Sequence, residues 1–237
     1  VMENLNPVLV LSDENGESTL KIEYISNDDI PDSLNGESGF HVYHVRMLTE
    51  LILSQLIKTG AAPSLTKEDV AAISIASSLH DIGKMRVPKS ILDFPGKLSP
   101  LEYDIVKKHA VFGEEIIDSI KADIAPDVIK YAKKIARFHH ERYDGTGYPD
   151  ALKGDDIPLC AQAVSLADAF DALTSVRSYK QAFSQDVAIQ MIANGMCGVF
   201  NPLLIDCLLR VVNNKTLVDI RERLQKARSV IKGQNVF

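Results

Sequence analysis

The chain has 237 residues, of which 46% are apolar and 24% charged, and its formal net charge is −6. These values are typical of a globular domain with a sizeable core, and they exclude a disordered, collagen-like or disulfide-scaffold chain. No basic stretch exceeds the mild segment 130–137, so duplex nucleic acid is not an expected partner. No uncharged apolar run approaches the ~20 residues of a membrane helix, so we expect no membrane contact from this segment. The three cysteines lack Cys-x-x-Cys spacing, which favours buried thiols in the reducing cytoplasm.

The N-terminal part of the sequence has the periodicity of β-strands. Residues 8–11 are apolar, residues 20–24 alternate between apolar and charged side chains, and the turn signal Asn15-Gly16 lies between them. Residues 26–39 are polar and are predicted to form a linker. We expect residues 1–36 to be a hairpin-like appendage or the end of an upstream domain. The sequence starts with neither Met nor a signal-peptide pattern, which suggests an excised fragment.

Residues 37–237 have helical periodicity and form the predicted main domain. Two capping boxes mark helix starts, Thr66-Lys-Glu-Asp69 and Ser99-Pro-Leu-Glu102. The second of these helices is predicted to continue through His109 to Ile116. The sequence therefore predicts an all-α domain, a bundle of about seven or eight helices. Other helices are expected to start near His41, Pro126, Ala161, Ser184, Asn201-Pro202 and Thr216.

Five of the six histidines lie at predicted helix ends or on inward faces. They are His41, His80, His109, His139 and His140. Any one of them alone is more often a core histidine that is satisfied by a hydrogen bond. Together, however, each would need its own buried partner, because an unsatisfied buried polar group costs about 1–3 kcal/mol. A shared metal site satisfies all five, and bundle helices commonly build such sites from inward-facing side chains.

Two carboxylates join this group. Asp168 lies in an otherwise apolar helix, where a buried acid must be paired or bound to a metal. Asp81 follows His80 directly and, unlike an imidazole, can bridge two ions. Histidine and carboxylate ligands without cysteine favour iron or manganese, with zinc and nickel left open.

Two motifs resemble those of a known family. The run His80-Asp-Ile-Gly-Lys84 resembles the signature of the HD phosphohydrolase superfamily, and His139-His-Glu-Arg-Tyr-Asp-Gly-Thr-Gly-Tyr-Pro149 resembles the motif of its HD-GYP branch. That branch comprises bacterial phosphodiesterases that linearise cyclic dinucleotides, chiefly cyclic di-GMP. The resemblance spans residues 37 to about 212. It implies an HD-domain helical bundle, with residues 37–237 as the catalytic domain, and two or three divalent metal ions.

The resemblance also implies roles for individual residues. Asp81 and Lys84 are expected to be catalytic, and Glu37 goes with a third ion. His44, Gln162 and Ser178 depart from the family pattern, but none of them removes a ligand. The implied metal ligands are Glu37, His41, His80, Asp81, His109, His139, His140 and Asp168, and the implied substrate contacts are Lys84, Tyr148, Arg177 and Lys180.

The expected function is hydrolysis of cyclic di-GMP, or of the hybrid cyclic GMP-AMP, to a linear dinucleotide. Two metal ions can activate water and stabilise charge on a phosphodiester, so no Ser or Cys nucleophile is needed. Two alternatives stay open: an HD hydrolase of another nucleotide, and a catalytically idle receptor for a cyclic dinucleotide. An upstream sensory domain and a homodimer stay open as further partners.

Overall fold

The structure is a computed structural model that describes residues 5–14, 17–26, 29–35, 37–122, 124–175 and 181–212. Within these ranges the chain is predominantly helical, which confirms the predicted all-α bundle, and the helix predicted near Thr216 lies outside them. Eight of the nine described α-helices have eight or more residues. The helices are α1 Gly39–Thr59, α2 Lys67–Ala76, α3 Lys89–Leu92, α4 Pro100–Lys107, α5 His109–Ser119, α6 Pro126–Phe138, α7 Leu159–Thr174, α8 Gln185–Ala193 and α9 Pro202–Val212.

Two small sheets precede and flank the helices. The strands are β1 Leu5–Glu14, β2 Glu17–Ser26, β3 Ser33–Leu34, β4 Glu37–Ser38 and β5 Lys121–Ala122. β1 and β2 form the predicted antiparallel hairpin, and β5 adds to β2 in parallel. Leu9 and Leu20 of the hairpin are buried in the same core as the helices. The hairpin therefore packs directly on the bundle, while the domain boundary between residues 36 and 37 stays a prediction.

The predicted linker, 26–39, contains regular structure. β3 and β4 form a two-residue antiparallel ladder within it, so the prediction of a plain linker was wrong there. Asn35 lies between these strands with a φ of 54°. Asparagine tolerates this left-handed conformation better than most residues. The polar composition that suggested a linker is instead that of a tight turn between β3 and β4.

The helix starts follow the local sequence signals. Thr66 and Ser99 both cap their helices with the predicted capping box, and Gly60 ends α1 with a φ of 73°. The helix expected to run from Ser99 through His109 is broken at Lys108 into α4 and α5. At this break Nδ1 of His109 lies 2.6 Å from the carbonyl oxygen of Val106, so the ring competes for a carbonyl of the helix.

The core lies around α1. Leu48, Ile52 and Leu53 of α1 are fully buried, as is Phe170 of α7. α1 packs against α2, α7 and α9, and α6 packs against α2, α5 and α7. This arrangement brings the start of α1, the end of α2, the start of α5 and the end of α6 to one place. Among the described residues, no helix has the length and apolar character needed to cross a bilayer.

Candidate metal centre

Two groups of potential ligands share one carboxylate. Asp81, His109, His139 and His140 form the first group, and His41, His80 and Asp81 form the second. Within each group, one nitrogen or oxygen atom per residue lies within 4.8 Å of all the others. Of the eight predicted ligands, Glu37 and Asp168 belong to neither of the two groups found among the described residues. The histidines and the aspartate expected at helix ends are thus brought together.

The three fully buried imidazoles are oriented by backbone carbonyls. Nδ1 lies 2.9 Å from the oxygen of Ser77 in His80, 2.6 Å from that of Val106 in His109, and 3.0 Å from that of Ile135 in His139. A carbonyl can only accept, so Nδ1 carries a proton in each ring, and Nε2 has the lone pair whenever the ring is neutral. Metal-binding histidines are commonly held in this way.

The remaining atoms of these side chains test whether a metal fits. Nε2 of His80, His109 and His139 and Oδ1 of Asp81 are buried, and none has a hydrogen-bond partner among the described residues. Four buried polar atoms without partners in one place would lower the stability of the fold by about 1–3 kcal/mol each. All four are suitable ligand atoms for a divalent transition metal, so the donor set fits such ions.

The two oxygens of Asp81 face different groups. Oδ1 lies 3.2 Å from Nε2 of His109 and 3.5 Å from Nε2 of His139. Oδ2 lies 3.4 Å from Nε2 of His80. Two ligands that are each about 2.1 Å from one ion lie roughly 3.0–3.4 Å apart at octahedral or tetrahedral angles. The two oxygens of Asp81 therefore lie at ligand-to-ligand distances from His109 and His139 of the first group and from His80 of the second.

Lys84 contributes a positive charge beside the shared carboxylate. Its Nζ donates to Oδ2 of Asp81 at 2.6 Å and to Oε1 of Glu37 at 2.8 Å. Burial alone would lower the pKa of Lys84, but the two carboxylates raise it well above its ordinary value. Lys84 is therefore a permanent cation, and it accounts for the position of Glu37.

His41 is held by two carboxylates of α7. Its Nε2 lies 3.4 Å from Oδ1 of Asp168, and its Nδ1 lies 2.8 Å from Oδ2 of Asp171. Nδ1 of His44 lies 2.9 Å from the other oxygen of Asp171. Burial would raise the pKa of Asp171, but the hydrogen bonds from both rings hold it far below its usual value. Asp171 thus fixes the ring of His41, and Nε2 is left to face Asp168.

Sequence reasoning missed Asp171. The available signal was its position three residues after Asp168 in an apolar helix, which places both acids on one face. Sequence reasoning also left open the role of His44, one of the departures from the family pattern. The structure shows that His44 shares Asp171 with His41. Gln162, another departure, donates to the carbonyl oxygen of Ile157 at 2.7 Å, and its side-chain oxygen accepts from Asn201 at 2.8 Å.

The segment after His140 forms one wall of the centre. The ring of Tyr148 stacks on that of His140, with centroids 4.8 Å apart and an angle of 27°. The buried carboxylate of Glu141 accepts from the backbone N–H groups of Asp150 at 2.7 Å and Leu152 at 3.0 Å. Burial lowers the pKa of His140, and the nearby rings of His139 and His109 lower it further, so the ring of His140 is neutral. The tyrosine is therefore fixed against a ligand of the first group.

Two predicted substrate contacts cannot be placed. Arg177 and Lys180 lie outside the described residues, as does Ser178. Ser175 is the last described residue before them, and its Oγ donates to Oδ1 of Asp171 at 2.8 Å.

The structure defines a class of domain, namely a helical bundle whose helix ends converge on a centre of histidines and aspartates. A family model described as the HD domain matches residues 41–197, more than half of the chain. The chain belongs to the HD domain family.

Curated relatives match most of the chain. One, named "Probable cyclic di-GMP phosphodiesterase" from Vibrio cholerae, is 34% identical over 198 residues, which are 82% of this chain and 44% of the relative. Another, "3′3′-cGAMP-specific phosphodiesterase 2" from the same organism, is 37% identical over 173 residues, which are 73% of this chain and 31% of the relative. The chain thus spans less than half the length of these relatives.

A solved structure has the same fold. It is described as an HDG"Y"P protein from Bdellovibrio bacteriovorus, and it matches with a TM-score of 0.55 and 22% identity over 73% of this chain and 52% of that one. At this identity the likeness concerns the fold alone.

Proposed function

We propose that this chain is the catalytic part of a metal-dependent phosphodiesterase that opens a cyclic dinucleotide to a linear one. The observation that carries the proposal is the position of Asp81, whose two oxygens face two separate groups of imidazole ligands. The relatives named as cyclic di-GMP and 3′3′-cGAMP phosphodiesterases indicate the substrate class. Both dinucleotides are candidates.

The proposed ligands are the eight acids and histidines identified in the sequence. Paired divalent ions supply Lewis-acid stabilisation of phosphoryl oxygens and lower the pKa of water, which is the chemistry that a phosphodiester requires. We propose iron or manganese, because the donor set lacks cysteine. The ligands are Glu37, His41, His80, Asp81, His109, His139, His140 and Asp168, with Glu37 assigned to a third ion.

The chain's own residues bind and orient the substrate. The ammonium of Lys84 lies beside the shared carboxylate, where it can offset charge that develops on the phosphate. Tyr148 lines the cleft, and burial raises the pKa of its hydroxyl, so it is a neutral hydrogen-bond donor. Arg177 and Lys180 are proposed to hold the substrate phosphates, since the net charge of −6 provides no attraction from the molecule as a whole.

The setting of this domain is also part of the proposal. Residues 37–237 are proposed as the HD-GYP catalytic domain of a longer bacterial signalling protein, in line with the greater length of the relatives. An upstream sensory domain and a homodimer are its proposed partners. The cytoplasm is the proposed location, because cyclic dinucleotide messengers are made and consumed there.

The test is to incubate protein loaded anaerobically with Fe²⁺ or Mn²⁺ with each cyclic dinucleotide and to resolve the products by chromatography. We expect at least one to be converted to the linear dinucleotide. Asp81→Asn should lower turnover by at least about 100-fold, because it removes a charge from both groups. Asp118→Asn is the matched control, since this exposed acid on α5 pairs only with Lys133 among the described residues. Metal-loaded protein that binds both dinucleotides and cuts neither would be a receptor, and the proposal would be wrong.

A further inference from the structure

The side chain of Asn35 joins the N-terminal hairpin to the helical bundle. Its Oδ1 accepts from the backbone N–H of Leu11 at 3.0 Å, and its Nδ2 donates to the carbonyl oxygen of Leu9 at 2.7 Å. Nδ2 also donates to the carbonyl oxygen of Ser78 at 2.9 Å. The amide thus uses its acceptor and both of its N–H donors, and all three partners are backbone groups far away in the sequence.

The first two bonds imitate a neighbouring strand. In a parallel pair, a residue of one strand accepts from a backbone N–H of its partner and donates to the carbonyl two residues away, as Asn35 does with Leu11 and Leu9. The edge of β1 is therefore covered at this point by a side chain rather than by another strand. The left-handed backbone of Asn35, with a φ of 54°, turns the amide toward that edge.

The third bond reaches the segment that carries two metal ligands. α2 ends at Ala76, and a single 3₁₀ turn, Ser77–Leu79, leads directly into His80 and Asp81. Carbonyl groups at the end of a helix lack partners within the helix, and Asn35 supplies one for Ser78. The neighbouring carbonyl, of Ser77, accepts from the backbone N–H of His80 at 3.1 Å and lies 2.9 Å from its Nδ1. Asn35 thus holds the peptide adjacent to the one that orients the His80 ring.

A second connection runs along the chain from the same turn. Two residues after Asn35, Glu37 accepts from Lys84 at 2.8 Å, and Lys84 in turn donates to Asp81. Asn35 and Glu37 therefore contact the chain on either side of His80 and Asp81 in sequence, at Ser78 and at Lys84. A displacement of the hairpin would pull on both contacts together.

We infer that Asn35 is a positioning residue that couples the N-terminal hairpin to the His80–Asp81 metal-binding turn. The inference rests on the proposed metal centre. In this role the hairpin contributes to the arrangement of the metal ligands. A movement of the chain upstream of residue 36 would then be transmitted through Asn35 to Asp81.

The test uses Asn35→Asp in the whole chain. Aspartate keeps the size, the tolerance of a positive φ and the acceptor for Leu11, but it removes both donors and places an oxygen against two carbonyl oxygens. Mn²⁺ binding is measured by calorimetry, and backbone amide exchange is measured over residues 77–84. We expect Mn²⁺ affinity to fall about tenfold, as is usual for substitutions that act through an intermediate segment, and exchange over residues 77–84 to become faster. Asn194→Asp is the matched control, since Asn194 is exposed at the end of α8, and it should change neither quantity.

A purely structural role predicts a different result. Asn35→Asp would then lower the melting temperature while Mn²⁺ affinity, measured well below melting, stays within twofold of the original, and the inference would be wrong. Should Asn35→Asp fail to fold, Asn35→Gly is measured in the same way, because glycine accepts the positive φ and removes all three bonds. If the unaltered protein does not bind Mn²⁺, the proposed metal centre fails, and amide exchange over residues 77–84 still decides whether Asn35 couples to the turn.

Discussion

The ammonium of Lys84 lies 2.6 Å from Oδ2 of Asp81, while Oδ1 of the same carboxylate has no hydrogen-bond partner among the described residues. The lysine thus neutralises the carboxylate at the oxygen that also faces His80, and it leaves the oxygen that faces His109 and His139 unoccupied. A substitution of Lys84 can therefore remove the charge beside the centre without removing a predicted metal ligand.

Lys84→Gln should lower kcat and leave the ion content unchanged. Glutamine removes the positive charge but can still donate to Asp81. We expect a fall in kcat of roughly 100-fold, similar to the loss of one group that stabilises transition-state charge. Turnover and elemental analysis on the same preparation check this, with Lys89→Gln at the exposed start of α3 as the control. Loss of the ions in Lys84→Gln would mean that the lysine supports binding of metal instead.

Mn²⁺ affinity should rise with pH. Burial lowers the pKa of His80, but the Asp81 carboxylate outweighs it and raises the pKa to about 9 in the metal-free chain. Nδ1 faces Ser77, so the titrating proton sits on Nε2, the ligand atom. Below pH 9 a metal must displace this proton, and affinity should increase by up to about tenfold per pH unit between pH 6 and 8. Calorimetry in two buffers of different ionisation enthalpy measures the released proton, and an affinity independent of pH would contradict the expectation.

Asp171→Asn should weaken one ion and spare the other. The substitution disturbs the hydrogen bond that orients His41, a member of the second group, whereas Asp171 is not a member of the group of Asp81, His109, His139 and His140. Removing such a partner typically costs 10–100-fold in metal affinity. Dialysis against a chelator followed by elemental analysis should therefore leave about one ion fewer per chain. Ser175→Ala, which removes only a donor to Asp171, is the control, and equal loss of both ions would show that the two sites are not independent.

Arg177→Ala should raise KM about tenfold, in keeping with the ~1.5–3 kcal/mol of a hydrogen bond to a charged group. The ion content should not change, because arginine is not a ligand, and added salt should narrow the difference from the unaltered protein. Arg210→Ala is the control, since that arginine is exposed and pairs with Asp206. An unchanged KM would leave Lys84 as the next candidate for holding the phosphate.

Local signals in the sequence predicted the secondary-structure elements. Contacts between side chains and partners far away in the sequence were missed. The capping boxes at Thr66 and Ser99 depend on residues three positions apart, so they can be recognised directly. The break before His109 was missed because it involves the ring's contact with Val106, which helical periodicity does not report. Asp171 and Asn35 were missed because their partners lie up to 130 and 43 residues away, and only the fold brings them together.

The convergence of the histidines could be predicted because each lies at a helix end or on an apolar face, and a bundle collects such positions. The sharing of Asp81 was expected from its chemistry, since a carboxylate has two oxygens and an imidazole has one free lone pair. The place of Glu37 was not expected from the residues, because its ion pair with Lys84 depends on the turn between β3 and β4.

The anchoring of the segment after His140 has a consequence for how a ligand is received. Tyr148 is stacked on His140, and the buried Glu141 holds two backbone N–H groups just beyond it. The loss of conformational entropy in this segment therefore occurs when the chain folds, not when a ligand arrives. Because this wall of the centre is ordered in advance, more of the free energy of each contact contributes to affinity. The wall also keeps one shape, which excludes ligands of the wrong size.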